Sequence, residues 1–313
     1  MNKFFHKDSK IFYNLNNKRF LITGGSGMLA NSFLRQLKKY TKNTKIYCLN
    51  KSKLDVSKKA CFNRLKSVKP DYIIHCGALV NADICEKKSK LAKKNIFDGT
   101  KNIIEFAKKN KSKVFYPQSF LIYKNSNKKV NENTSPKPLS VYGKYKLKSE
   151  QLLLKSYKNS LIVRMGGFFG GEKIDKNFVG KITRHISNLI KSGTKELKIG
   201  DRIWQPTYTE DLAYNSLVLL ANKKYGVYNM ASLGSCSFFE LTKKIVEYLN
   251  LSKKIKIKKI STKILDKKEF SKRPSRLIMD NKKLIREGLN RQRNWKLSLR
   301  EYLSQKYFRN LYK

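Results

Sequence analysis

Between Arg19 and Leu37 an apolar run, a glycine turn and a helix pattern follow one another without a break, and nothing else in the chain restricts its fold as much. Arg19-Phe-Leu-Ile-Thr23 is short and apolar, so it reads as a buried strand. Gly24-Gly-Ser-Gly-Met-Leu-Ala30 follows, and Phe33, Leu34 and Leu37 then recur at helical spacing. Strand, glycine turn and helix together open a nucleotide-binding βαβ unit. In such a unit Gly24 permits the tight turn, Gly27 lets a diphosphate approach the backbone, and Ala30 lets helix pack on strand. Met28 and Leu29 begin the helix, where unpaired N–H groups and the positive dipole end favour an anion.

The alternation continues. Apolar strand patterns at 45–50, 70–75, 113–116 and 161–164 are separated by helix patterns, at 84–109 and from Tyr142 among others. Strands alternating with helices predict an α/β fold, a Rossmann-type doubly wound parallel sheet. Residues 1–17 read as an N-terminal arm and 18–170 as the dinucleotide-binding core with its catalytic helix. Residues 171–313 read as a smaller C-terminal α/β substrate-binding part, interleaved with late core elements. The second strand ends in Asn50-Lys51, where NAD-selective sites of this type carry an acid for the ribose hydroxyls. With no carboxylate there and a cation at Lys51, NADP(H) is the expected cofactor and NAD(H) the alternative. The small residues Cys76-Gly77-Ala78 end the third strand and let a cofactor lie close. Ser119 stands just past the fourth, where ligands of open α/β sheets bind.

Three Tyr-x-x-x-Lys pairs occur: Tyr47/Lys51, Tyr142/Lys146 and Tyr302/Lys306. On a helix this spacing stacks the two side chains on one face. An ammonium beside a phenol favours the phenolate and lowers its pKa, so such a pair can exchange a proton with an alcohol oxygen. Tyr47 and Lys51 lie on a strand, about 13 Å apart at about 3.3 Å per residue, too far to act together. Tyr302/Lys306 falls in the last helix, away from any expected strand end, and reads as surface. That leaves Tyr142/Lys146.

The formal charge of +48 requires nucleic acid and anionic membranes to be weighed as partners. Only 13 of the 70 basic residues are Arg, and the 57 Lys are spread over nearly every polar segment. Phosphate-gripping faces concentrate Arg in a patch or stripe, so no specific nucleic-acid partner is expected. No run of about 18 apolar residues occurs, which gives no membrane span, and the start lacks the apolar segment of a signal peptide. Five scattered cysteines without a CxxC pair suggest reduced thiols in a cytoplasmic protein. No zinc spacing is present and no metal is expected.

Taken together, Thr23-Gly-Gly-Ser-Gly-Met-Leu-Ala30, Cys76-Gly-Ala78, Ser119 and Pro138-x-x-x-Tyr142-Gly-x-x-Lys146 resemble the extended short-chain dehydrogenase/reductases. Leu54-Asp55-Val56, Pro70-Asp71, Ala82-Asp83-Ile-Cys-Glu86, Asn95, Pro206-Thr207 with Asp211-Leu212, and Arg273-Pro274 are similar to the dTDP-4-dehydrorhamnose reductase branch. The resemblance implies a catalytic Ser119, Tyr142 and Lys146, and cofactor contacts at Asp55 and Val56 as well as at the glycine turn. It implies a nucleotide-sugar substrate, met by Asp83, Phe120, Arg202 and Arg273, and the reduction of a 4-keto sugar. A nucleotide-sugar epimerase and a non-catalytic dinucleotide-binding regulatory subunit are the alternatives, and a homodimer is compatible with the fold. Three departures from that branch stand out: Phe120 replaces an acid after the catalytic Ser and Gly166 and Gly167 stand where a Trp is usual, both positions that the resemblance places at the sugar, and Trp204 stands where a Gly is usual.

Overall fold

A computed structural model describes residues 10–262 and 270–312. Six parallel strands form the central sheet: β1 (Arg19–Thr23), β2 (Lys45–Leu49), β3 (Tyr72–His75), β4 (Lys113–Ser119), β5 (Ser160–Met165) and β6 (Gly226–Met230). Their order is β6-β5-β4-β3-β1-β2. The strand direction of travel reverses at β1, which pairs with β2 on one side and β3 on the other. A crevice therefore opens beyond the carboxyl end of β1, next to those of β3 and β4. The rest of the strand ends follow from the same register: Thr23 pairs with His75, and Ser119 with Met165.

Helices cover both faces. α1 (Met28–Tyr40) buries Leu29, Phe33 and Leu37 at helical spacing. It packs beside α5 (Thr209–Ala221), which is buried along almost its whole length. The other face carries α2 (Gly99–Asn110) and α3 (Val141–Ser156). The expected single helix over 84–109 is broken into short helices and a π-helical turn at Lys94–Asp98 before α2 begins. The segment 57–68 makes only a 3-10 helix, Lys59–Leu65, that still buries Phe62 and Leu65.

The stretch expected as an N-terminal arm is described from Lys10 onward, and it does not hang free. Phe12 and Leu15 are fully buried. Phe12 packs against Tyr40 and Tyr214 at ring separations of 5.3 and 5.4 Å, so this segment closes the end of the α1–α5 face.

Beyond β5 the chain builds a second apolar cluster from α4 (Phe178–Lys191), α6 (Phe238–Tyr248) and α7 (Trp295–Leu303). A parallel pair, Glu196–Gly200 with Lys256–Ile260, flanks it. β6 meanwhile returns to the central sheet beside β5. Among the described residues no helix is long and apolar enough to cross a membrane.

Candidate active site

At the crevice the backbone itself is the first component. Gly24 has φ +70°, and a Cβ there would lie 2.8 Å from the Gly77 nitrogen. Only glycine fits, because the turn after β1 and the end of β3 touch backbone to backbone. Gly27 caps α1, and its N–H donates to the Gly24 carbonyl at 2.8 Å, so the first amides of α1 face the crevice. Thr23 fastens the two strand ends together. Its hydroxyl oxygen accepts from the Gly77 N–H at 2.9 Å and lies 3.0 Å from His75 Nδ1. Burial holds the His75 imidazole down at about 3, so it is neutral.

The second component is α3 against the end of β4. Ser140 caps the helix through the Gly143 N–H. A Cβ at Gly143 would stand 2.4 Å from the Leu121 carbonyl oxygen, so glycine there lets the helix press onto the turn that follows Ser119. Gln118 locks the contact. Its amide donates to the Lys146 carbonyl and to Glu150, each at 2.9 Å, and its oxygen accepts from the Ser119 N–H. Arg164 on β5 holds Glu150 in turn through a buried ion pair and donates to the Tyr123 hydroxyl. Ser119, Tyr142 and Lys146 thus sit on two elements joined by a fully hydrogen-bonded polar strut.

Ser119, Tyr142 and Lys146 all line one cavity of about 710 Å³. Burial raises the Tyr142 phenol well above its ordinary range, and a hydrogen bond with Ser119 pulls the other way. Lys146 does not depress it as the sequence suggests. The Lys146 ammonium donates to the Pro117 carbonyl at 2.6 Å and stands 3.8 Å from the centre of the Tyr116 ring. Burial brings its own pKa down to about 7, with Cys76 and Glu150 acting against that. The phenol is therefore a protonated donor at neutral pH, beside an amine poised to change charge.

The same cavity takes in Gly24, Gly27, Met28, Leu29, Lys51, Asp55, Val56, Cys76, Gly77 and Ala78, and at its other end Phe120, Arg202 and Arg273. Two expected residues lie outside it. Asn50 turns its side-chain oxygen onto Ser52 and the Lys53 N–H, closing its own turn. Asp83 forms an ion pair with Arg273 at 3.3 Å and accepts from the Ser271 N–H, so it ties down the segment that follows the undescribed residues 263–269. Lys51 does reach the cavity, near the Asn95 amide oxygen. Asp55 lies at the same end, but its carboxylate accepts from the Ser57 N–H and hydroxyl.

Sequence reasoning missed the far wall. Asn177, Phe178 and Lys181 at the start of α4, and Phe238 at the start of α6, line the cavity. Each stands at the opening of an amphipathic pattern, and nothing in the sequence alone separates it from an ordinary helix start. Tyr302 is a correction: it is fully buried under Asp175 and Phe169, not on the surface. The signal was present, since Trp295, Leu299, Tyr302 and Leu303 make one apolar stripe. Finally, the departures at 167 and 204 meet. A Cβ at Gly167 would fall 2.0 Å from Trp204 Cζ3, so the indole lies where any side chain at 167 would have to go.

A parallel doubly wound sheet, a glycine turn at its switch point and a Ser–Tyr–Lys set on neighbouring elements make up the extended short-chain dehydrogenase/reductase arrangement. Residues 18–308 match the RmlD substrate binding domain family. The spore coat polysaccharide biosynthesis protein SpsK of Bacillus subtilis is 25% identical over 293 residues, covering 92% of this chain and 98% of that protein. A dTDP-4-dehydrorhamnose reductase of Aggregatibacter actinomycetemcomitans is 27% identical over 295 residues, covering 90% and 97%. The crystal structure of dTDP-4-dehydrorhamnose reductase from Bacillus anthracis in complex with NADP superposes with a TM-score of 0.82 at 26% identity, covering 91% of this chain and 98% of that one. The chain belongs to the RmlD substrate binding domain family, the dTDP-4-dehydrorhamnose reductase-like branch of the extended short-chain dehydrogenase/reductases.

Proposed function

We propose that this protein reduces the C4 carbonyl of a nucleotide-linked 4-keto sugar with NADP(H). The observation that carries this is the convergence of Ser119, Tyr142 and Lys146 on a cavity whose other end is the Gly24–Gly27 turn. That turn fits a dinucleotide: Gly24 lets it close against the end of β3, and the α1 N-terminus offers N–H groups to a diphosphate. Gly24, Gly27, Met28 and Leu29 would hold the diphosphate, Cys76-Gly77-Ala78 the neighbouring ribose, and Lys51 a 2′-phosphate. When bound, NADPH supplies the hydride.

Ser119 orients the sugar carbonyl through its hydroxyl. Tyr142 gives its proton to the oxygen as negative charge builds there, which is worth about 10² to 10⁴ in rate for a positioned general acid. Its raised pKa keeps that proton in place at neutral pH. Lys146 lies one helical turn away, its ammonium on the Pro117 carbonyl, and is the side chain we assign to the nicotinamide ribose. Arg202 at the cavity's outer end is the side chain we assign to the substrate diphosphate. Arg273 closes the same end while paired with Asp83.

The test is incubation with a panel of 4-keto nucleotide sugars and NADPH, followed at the nicotinamide absorbance. Net oxidation of cofactor supports the reductase. Conversion of the sugar without net oxidation would make the protein an epimerase. Tight dinucleotide binding with neither would make it a regulatory subunit.

A further inference from the structure

Trp204 is 6% exposed, yet it lines the cavity together with Gly167. Its position is fixed on the sides away from the cavity. The short strand Ile203–Trp204 pairs antiparallel with Cys236–Ser237. Phe238 meets the indole edge-on at 5.2 Å and Phe178 at 6.4 Å, and those two phenyl rings stack on each other at 4.1 Å. The benzo edge of the indole covers the Gly167 backbone, whose carbonyl accepts from the Thr207 N–H at 2.9 Å. Gly167 does not have a positive φ, so its own conformation would accept a side chain. The three atoms nearest a Cβ there all belong to the indole. The place is close to the chemistry, because Met165 pairs with Ser119 and Gly167 is two residues further on, about 7 Å along an extended chain.

We propose that Trp204 is a specificity-determining residue, which limits the size of the sugar by filling the space over Gly167. This rests on the nucleotide-sugar reading above. An indole held by two other rings and over the Gly167 backbone cannot swing aside without breaking those contacts, so the limit it sets is a fixed one. Residue 167 and residue 204 share a single side-chain volume, and whichever carries the indole determines the floor of the cleft.

The test is calorimetric binding of dTDP, dTDP-glucose and dTDP-N-acetylglucosamine to the NADPH-loaded wild type, Trp204→Gly, Trp204→Phe and the exchanged double variant Gly167→Trp/Trp204→Gly. The expected result is that Trp204→Gly improves the affinity for the bulkier sugar relative to dTDP-glucose by about tenfold or more. Trp204→Phe should shift the ratio in the same direction by less, and it serves if the glycine variant does not fold. The exchanged variant should return the ratio towards that of the wild type. Affinity for dTDP alone should not change. An unchanged sugar ratio in both single variants, with NADPH still bound, overturns the proposal. An effect of equal size on dTDP alone also overturns it, by placing Trp204 at the nucleotide. If no dTDP compound binds the wild type while NADPH does, the same series is run with UDP, GDP and CDP sugars, and binding by none of them fails the nucleotide-sugar reading and takes this inference with it.

Discussion

Tyr302 donates its hydroxyl hydrogen to the carboxylate of Asp175 across 3.2 Å, and neither side chain reaches solvent. The same hydroxyl accepts from the Glu172 N–H at 2.9 Å, while Asp175 also accepts from the Gly170 and Asn177 N–H groups. One phenol therefore pins the loop that leads from β5 to α4. Tyr302→Phe deletes that hydroxyl and leaves a buried carboxylate short of a donor. The expected cost is about 1–3 kcal/mol of stability, seen as a lower urea midpoint with an unchanged slope. Turnover should hold within a few-fold. An unaltered midpoint would show that the hydroxyl contributes nothing to the fold.

The proton donor is tested by the matching change at the other tyrosine. Tyr142→Phe should leave the helix and the dinucleotide turn intact, with cofactor affinity within a few-fold of wild type, while turnover falls by about 10² to 10⁴. Lys146→Ala should lower turnover and weaken the cofactor together. Tyr47→Phe, on β2, should be silent in both. Steady-state kinetics with fluorescence titration of NADPH separates these, and near-normal turnover in Tyr142→Phe would rule out its assignment.

For the cofactor, Lys51 is the only cation that the expected strand-end position delivers to the cavity. NADPH should bind more tightly than NADH. Lys51→Glu should flatten or reverse that preference by about 1 kcal/mol or more, the scale of one charge-assisted contact. Competitive titration of the two dinucleotides gives the answer, and equal affinities that the substitution leaves alone would remove Lys51 from the site.

Lys146 also has a signature in stability. Its native pKa, about 7, lies below the unfolded value of 10.5. Between these the unfolded chain binds a proton that the native protein lacks, so stability rises with pH from about 7 upward. Below about 7 both states carry the charge and the full burial penalty applies. Lys146→Met should remove up to about 1.4 kcal/mol of slope per pH unit. The window to measure is pH 7 to about 8.5, below the thiol titrations, by urea unfolding of the ligand-free protein. Parallel wild-type and variant profiles would mean that Lys146 stays charged in the fold.

The sheet was readable because each strand is a short apolar run and each crossover carries its own inward stripe. Once the strands are parallel, Ser119 and the Tyr142 helix must arrive at the same edge, so their meeting at one cavity was legible too. The opposite wall was not. Asp83 meets Arg273 across 190 positions, and Gly167 meets Trp204 with the whole of α4 between them. No local pattern records such pairings. Asn50 stands outside the cavity for a local reason: its side-chain oxygen serves its own turn. Lys146 failed for an electrostatic one, since spacing put it beside Tyr142 but not which oxygen its ammonium would choose.

The strut of Gln118, Glu150 and Arg164 gives the cleft two sides of different stiffness. On one, Ser119, Tyr142 and Lys146 ride on a strand and a helix bolted together by buried hydrogen bonds, each link depending on the next. On the other, the cavity is walled by loop ends, two-residue strands and ring contacts. Substitutions on the second side can be made one at a time without disturbing the first. A scaffold divided in this way can reshape one wall of its cleft while keeping the other, and the indole of Trp204 over Gly167 lies on the wall that is free to change.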